Sequence, residues 1–184
     1  RSTGDNQKWY LEPVDEANFY FRYMFTNANE NSYITLGSGY KMYRETLNDW
    51  HYAIDITGKT SFIRGTPIFS PTSGTVIYSQ HNPESGNYVV IETDKCVKGT
   101  GKKVILTFAH MIEKSPLEVG QRVLPKKFIG YVGSTGNSSG DHLHHAVFKS
   151  PPGSNTIYES QINCINPQRF YPNVPFAGET STAP

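Results

Sequence analysis

The chain has 184 residues, 36% of them apolar and 18% charged, with a net charge of +1, which suits one folded domain with room for an arm at one end. It carries too little charge for a disordered acidic or basic chain, and no basic patch points to nucleic acid. No apolar run approaches the roughly 20 residues that span a bilayer.

The polar start, Arg1-Ser-Thr-Gly-Asp-Asn-Gln7, reads as a processed end, so export of a longer product stays open. Residues 1–45 are irregular and rich in aromatic residues. Phe19, Phe21, Tyr23 and Phe25 alternate, which is the period of a strand. Tyr33, Tyr40 and Tyr43 follow at turns rich in Gly and Asn. We expect an extra strand and a loop packed on the main sheet; an arm that shapes or partly covers a site is the other reading.

From Trp50 onward the chain reads as short strands and turns. The expected strands are 51–57, 66–70, 74–80, 87–93, 103–110, 128–132 and 143–149. Pro71-Thr-Ser-Gly74, Asn82-Pro-Glu-Ser-Gly86 and Lys98-Gly-Thr-Gly101 are turn or hairpin signals. No stretch keeps a helical period. Many short strands at this spacing predict an all-β fold, a sandwich or a barrel-like sheet. Gly130, Gly133, Gly136 and Gly140 form a loop that matches no phosphate-binding pattern and suits the lining of a substrate groove. The end after Tyr171 is rich in Pro, Ala, Ser and Thr and reads as a loose tail. Cys96 and Cys164 form no CxxC motif, and a disulfide and two free thiols are equally compatible with their spacing.

The chemistry gathers at Asp141-His142-Leu143-His144-His145 and, ninety positions earlier, at His51-Tyr52-Ala53-Ile54-Asp55. These hold four of the six histidines. On a strand, residues i and i+2 face the same side, about 6–7 Å apart. His142 and His144 then point into one cavity while Leu143 packs in the opposite layer. One can bind a metal and the other can reach a water beside it. By the same alternation His145 faces away and is expected to be a structural or a surface histidine. On a straight strand His51 and Asp55 would lie about 13 Å apart, too far for one ion with bonds of about 2 Å. The chain must therefore bend between them, and small Ala53 sits at the midpoint. His110 ends the run Val104-Ile-Leu-Thr-Phe-Ala-His110 and is expected to share a strand face with Val104, Leu106 and Phe108. Two histidines and an aspartate suit a zinc ion with one position left for water, whose pKa falls toward about 7. A further histidine can take the water's proton, and another can assist the oxyanion or the leaving amine.

These residues resemble the lysostaphin-like (β-lytic, LytM-type) zinc metallopeptidases. That family's pattern is HxGxD, a histidine after an apolar strand, and a Gly/Ser/Thr loop leading to HxH. Here the pieces are His51-Tyr-Ala-Ile-Asp55, Phe108-Ala-His110 and the stretch from Gly130 to His144. Thr66–Val76, Gly86–Glu92 and Val119–Val123 agree as well. The resemblance covers 48–171, leaving 1–47 as an N-terminal arm or accessory segment and 172–184 as a tail. It implies zinc ligands His51, Asp55 and His144, and catalytic roles for His110 and His142. It also implies an antiparallel β fold with a groove across one face, peptide bonds of bacterial peptidoglycan as substrate, and an extracytoplasmic location. We expect a monomer. Ala53 stands where the family has glycine, and His145 where it has an aromatic residue; neither removes a ligand. Two other classes compete: a non-cutting wall-binding or regulatory module, and a structural zinc site with His142 or His145 as a fourth protein ligand.

Overall fold

The computed structural model describes residues 13–14, 25, 32–34, 39–45, 48–58, 64–97, 99–151 and 163–170. Thirteen strands lie among them: β1 (Pro13–Val14), β2 (Ser32–Ile34), β3 (Met42–Arg44), β4 (Asp49–His51), β5 (Ile54–Gly58), β6 (Pro67–Phe69), β7 (Gly74–Asn82), β8 (Gly86–Val97), β9 (Lys103–Met111), β10 (Arg122–Val123), β11 (Phe128–Tyr131), β12 (Leu143–Ser150) and β13 (Cys164–Ile165). The one helical element among the described residues is a single 3-10 turn, Pro167–Arg169. The chain is all-β.

Every expected strand from residue 51 onward is present, with one division. The run 51–57 is split into β4 and β5 around Tyr52 and Ala53, which is the bend the metal-ligand spacing requires. The main sheet has the order β10-β7-β8-β9-β12-β5-β2, with β1 paired to β8 and β13 paired to β12. Its pairings are antiparallel except β1 with β8. A two-stranded sheet, β6 with β11, and a ribbon, β3 with β4, complete the fold. Tyr33 and Tyr43 lie in β2 and β3, so they are strand residues and not turn residues as expected. Of the alternating aromatics 19–25, only Phe25 falls within the described residues; it is buried at a bend. The tail after Tyr171 also lies outside them.

Strand alternation sorts the side chains into two layers. Ile54, Ile56, Leu106, Phe108, Leu143 and Val147 face the core shared with Ile68 and Ile129 of the small sheet. Ala53, Val90, Ile105, Ala146 and Phe148 lie on the other face. Strand β9 is buried on both faces, which explains its nearly unbroken apolar text. Cys96 and Cys164 are both buried and are not joined to each other by a disulfide. Cys96 pairs with Lys103 of β9 and Cys164 with Phe148 of β12, so strands β9 and β12 lie between them and no disulfide can form.

Phe108 is fully buried at the centre of the main core, and the His145 ring lies against it with centroids 4.9 Å apart. Phe108→Ala is expected to reduce unfolding free energy by about 3–5 kcal/mol, read by urea denaturation. A loss below about 1 kcal/mol would mean that this layer is not the principal core.

Candidate functional site

Strands β5 and β12 are neighbours, and their register places Asp55 directly opposite His144. Both belong to the set facing away from the main core, since Ile54, Ile56 and Leu143 face into it. His51 ends β4 and is fully buried. Its Nδ1 lies 3.3 Å from the carbonyl of Gly39, which turns Nε2 toward the other two residues. The separations are 2.9 Å from His144 Nδ1 to Asp55 Oδ1, 3.2 Å from His51 Nε2 to His144 Nδ1, and 3.3 Å from His51 Nε2 to Asp55 Oδ1.

These three atoms suit a tetrahedral ion. Ligands bonded at about 2.0–2.1 Å in a tetrahedron stand roughly 3.3 Å apart. Two imidazole nitrogens and a carboxylate oxygen at this spacing repel unless a proton or a cation lies among them. Burial works against the charged form of Asp55, but hydrogen bonds from His144 and His51 outweigh it and hold the carboxyl well below the usual carboxylate range.

His142 lies just ahead of β12, bridged to Gly133. Its Nδ1–H donates to the carbonyl of Gly140 at 2.8 Å, and its Nε2 lies 3.5 Å from Asp55 Oδ1. Thus His142 and His144 do point the same way with Leu143 between them in the core, as alternation requires. His145 points away, fully buried, with Nδ1–H donating to the carbonyl of Thr107 at 2.8 Å.

His110 departs from the expected strand face. Val104, Leu106 and Phe108 do share the core layer, but the next residue in that layer is Met111. The pairing of β8 with β9 shifts there: Val89 faces Phe108 while Asn87 faces Met111, so Ala109 and His110 together oppose Tyr88. This β-bulge, with His110 at φ 61°, reverses the alternation. It carries the ring to the opposite face, 4.8 Å from the His142 ring and 5.6 Å from that of His144, centroid to centroid. The Nδ1–H of His110 donates to the carbonyl of Thr135 at 2.8 Å. His110 and His142 therefore both spend Nδ1–H on a backbone carbonyl and keep an Nε2 lone pair. Burial pushes His110 down to about 4, helped by the nearby His144 and opposed by the bond to Thr135, so its ring is neutral at pH 7.

The structure brings all five expected site residues together. Their donor atoms fall into two overlapping groups, His51, Asp55 and His144 in one and His110, His142 and His144 in the other, each within 4.8 Å. Sequence reasoning missed the groups that hold them. Arg64 pairs with Asp141 at 2.7 Å, and the hydroxyl of Thr57 donates to the Asp141 carbonyl at 3.2 Å, fixing the residue before His142. Gly39, Gly140 and Thr135 act through backbone carbonyls, which no side-chain pattern reveals.

The model of peptidase family M23 matches residues 49–158. Among curated relatives, the peptidoglycan DD-endopeptidase ShyA of Vibrio cholerae is 33% identical over 83 residues, which are 45% of this chain and 17% of that protein. The chain thus spans about a fifth of the length of the curated relatives it matches. Among solved structures, a zinc-containing peptidase from Vibrio cholerae superposes with a TM-score of 0.55 at 27% identity, covering 72% of this chain and 37% of that one. The catalytic domain of lysostaphin from Staphylococcus simulans gives 0.57 at 24% identity, covering 77% and 92%. This last likeness is one of fold.

Burial pushes His145 down to about 3, against the bond to Thr107, whereas an unfolded histidine titrates near 6.5. Its folded value is depressed, so its contribution is complete above about pH 6.5 and lost as pH falls toward 3, by roughly 1.4 kcal/mol per unit. His145→Asn keeps a donor for the Thr107 carbonyl and does not titrate. Urea titrations at pH 7 and pH 5, with chelator present throughout, should show a shallower pH dependence in the variant. Equal slopes would contradict a buried neutral His145.

Proposed function

The chain belongs to peptidase family M23, and from that premise we propose that it is a zinc metalloendopeptidase cutting peptide bonds in bacterial peptidoglycan. The observation that carries this reading is the convergence of His51 Nε2, Asp55 Oδ1 and His144 Nδ1 within 3.3 Å, with His110 and His142 beside them. His51, Asp55 and His144 would hold the zinc, which when bound makes a water acidic and polarises a carbonyl. Three protein ligands leave a position for substrate, and their charges sum to about +1 with the ion, so it stays an effective Lewis acid.

The remaining steps fall to the chain's own side chains. Neutral His110 takes the proton of the attacking water at Nε2. His142, whose Nε2 lies 3.5 Å from Asp55 Oδ1, would assist the oxyanion or the departing amine, and the proton taken by His110 would end on that amine. The two backbone carbonyls that accept their Nδ1–H groups keep both rings aimed at the site while protons move. Peptidoglycan is proposed as substrate because ShyA bears that activity in its name. A wall substrate places the protein outside the cytoplasm. Among the described residues no helix is long and apolar enough to cross a membrane.

We further propose residues 48–171 as the peptidase domain of a monomer. The arm 1–47 would shape it, since β2 pairs with β5 and Gly39 accepts from His51. The Tyr40 hydroxyl also ties the arm to β13, donating to the Cys164 carbonyl at 3.0 Å.

The test pairs metal analysis with wall digestion. Asp55→Ala is expected to lose bound zinc. His110→Ala should keep zinc and lose turnover by about 10²-fold or more. Mass spectrometry of fragments from peptidoglycans of several cross-link types should show new peptide ends with wild type alone. Full activity in His110→Ala would remove its catalytic role. No release from any wall, with zinc bound, would favour a non-cutting wall-binding module.

A further inference from the structure

The mechanism leaves unexplained how a histidine in a left-handed backbone conformation, on a bulge, is held to one orientation. The answer lies in three segments that meet behind His110. The first is the β7–β8 turn, whose Ser85 carbonyl accepts from the His110 backbone N–H at 2.9 Å. The second is the end of β9. The third is the Gly-rich loop, which supplies the Thr135 carbonyl to His110 Nδ1–H at 2.8 Å.

Thr135 joins all three. Its hydroxyl donates to the carbonyl of Met111 at 2.7 Å and accepts the backbone N–H of Asn87 at 2.9 Å. The Asn87 side chain braces the same corner, reaching the carbonyls of Met111 at 3.1 Å and Ile112 at 3.2 Å. The loop lies directly against the turn: a Cβ on Gly86, at φ 63°, would overlap the Thr135 carbonyl. The backbone N–H of Asn137 donates to the carbonyl of Glu84 at 2.9 Å. The peptide that holds His110 is thus locked by a hydroxyl that both donates and accepts.

The geometry points to Thr135 as the positioning residue that fixes the tautomer and aim of His110. Its hydroxyl immobilises the carbonyl that takes Nδ1–H, and so directs the Nε2 lone pair into the site. The inference rests on the reading of His110 as a catalytic group. Thr135→Val keeps the shape and removes the hydroxyl, leaving the Asn87 N–H without its acceptor.

The test reads His110 directly, through the ring ¹⁵N shifts of the zinc-loaded full chain, alongside kinetics on peptidoglycan fragments. Wild type should show a single tautomer protonated at Nδ1. Thr135→Val should mix the tautomers and lower kcat by about tenfold, with KM changed less than about twofold. Bound zinc should be unchanged. Thr135→Ser should restore both the tautomer and kcat. Thr135→Ala serves in place of the valine variant if that one does not fold. An Nε2–H tautomer in wild type overturns the proposal, as does an unchanged tautomer and kcat in whichever hydroxyl-free variant folds. Mixed tautomers in a protein whose wild type cuts no wall would uphold the positioning role and remove the peptidase reading instead.

Discussion

Three electron-rich atoms, two imidazole nitrogens and a carboxylate oxygen, are held within 3.3 Å of one another, two of them by the register of the main sheet. Asp55 and His144 cannot separate without breaking the β5–β12 pairing, and that pairing is anchored by Ile54, Ile56 and Leu143 in the core. His51 is brought to them by the bend at Tyr52 and Ala53 and is braced from behind by Gly39. Such a cluster is stable only when something positive lies among its members. The apolar core therefore enforces an arrangement that the polar atoms alone would avoid, and that constraint is what supports the proposal that the cluster holds a metal ion.

A second layer of control runs through the backbone. His110 and His142 come from different segments, yet each donates Nδ1–H to a loop carbonyl and presents Nε2. Carbonyls are suited to this because they only accept, so they select one tautomer. The Gly-rich loop supplies both carbonyls, from Thr135 and Gly140. Its glycines allow the close backbone approach that packs it against the β7–β8 turn. The loop's role seen in the structure is to orient histidines; lining a groove, as its sequence suggested, would be an additional task.

Much of the site was legible in the sequence. The His142-Leu143-His144 alternation could only put both rings on one face, and the impossibility of a straight His51–Asp55 strand required the bend that β4 and β5 make. The strands 66–70, 74–80 and 103–110 were legible because β-branched and aromatic runs are bounded by Gly and Pro turns. The face that His110 takes was not, because a bulge depends on pairing between β8 and β9 and leaves no local mark beyond an apolar run ending in histidine. The short strands β10 and β13 escaped for a related reason: two-residue pairings are set by where the chain passes, not by their own residues. The supporting groups Thr57, Arg64 and Asn87 act from far along the chain, and only the folded register brings them to the site.

We expect His51 Nε2, Asp55 Oδ1 and His144 Nδ1 to gather around one cation. A crystal structure of the zinc-loaded chain, with anomalous scattering recorded on both sides of the zinc edge, tests it most directly. One strong anomalous peak is expected within about 2.0–2.2 Å of those three atoms, with His144 bound through Nδ1. A peak held instead through His144 Nε2, or one lying away from Asp55, would contradict it.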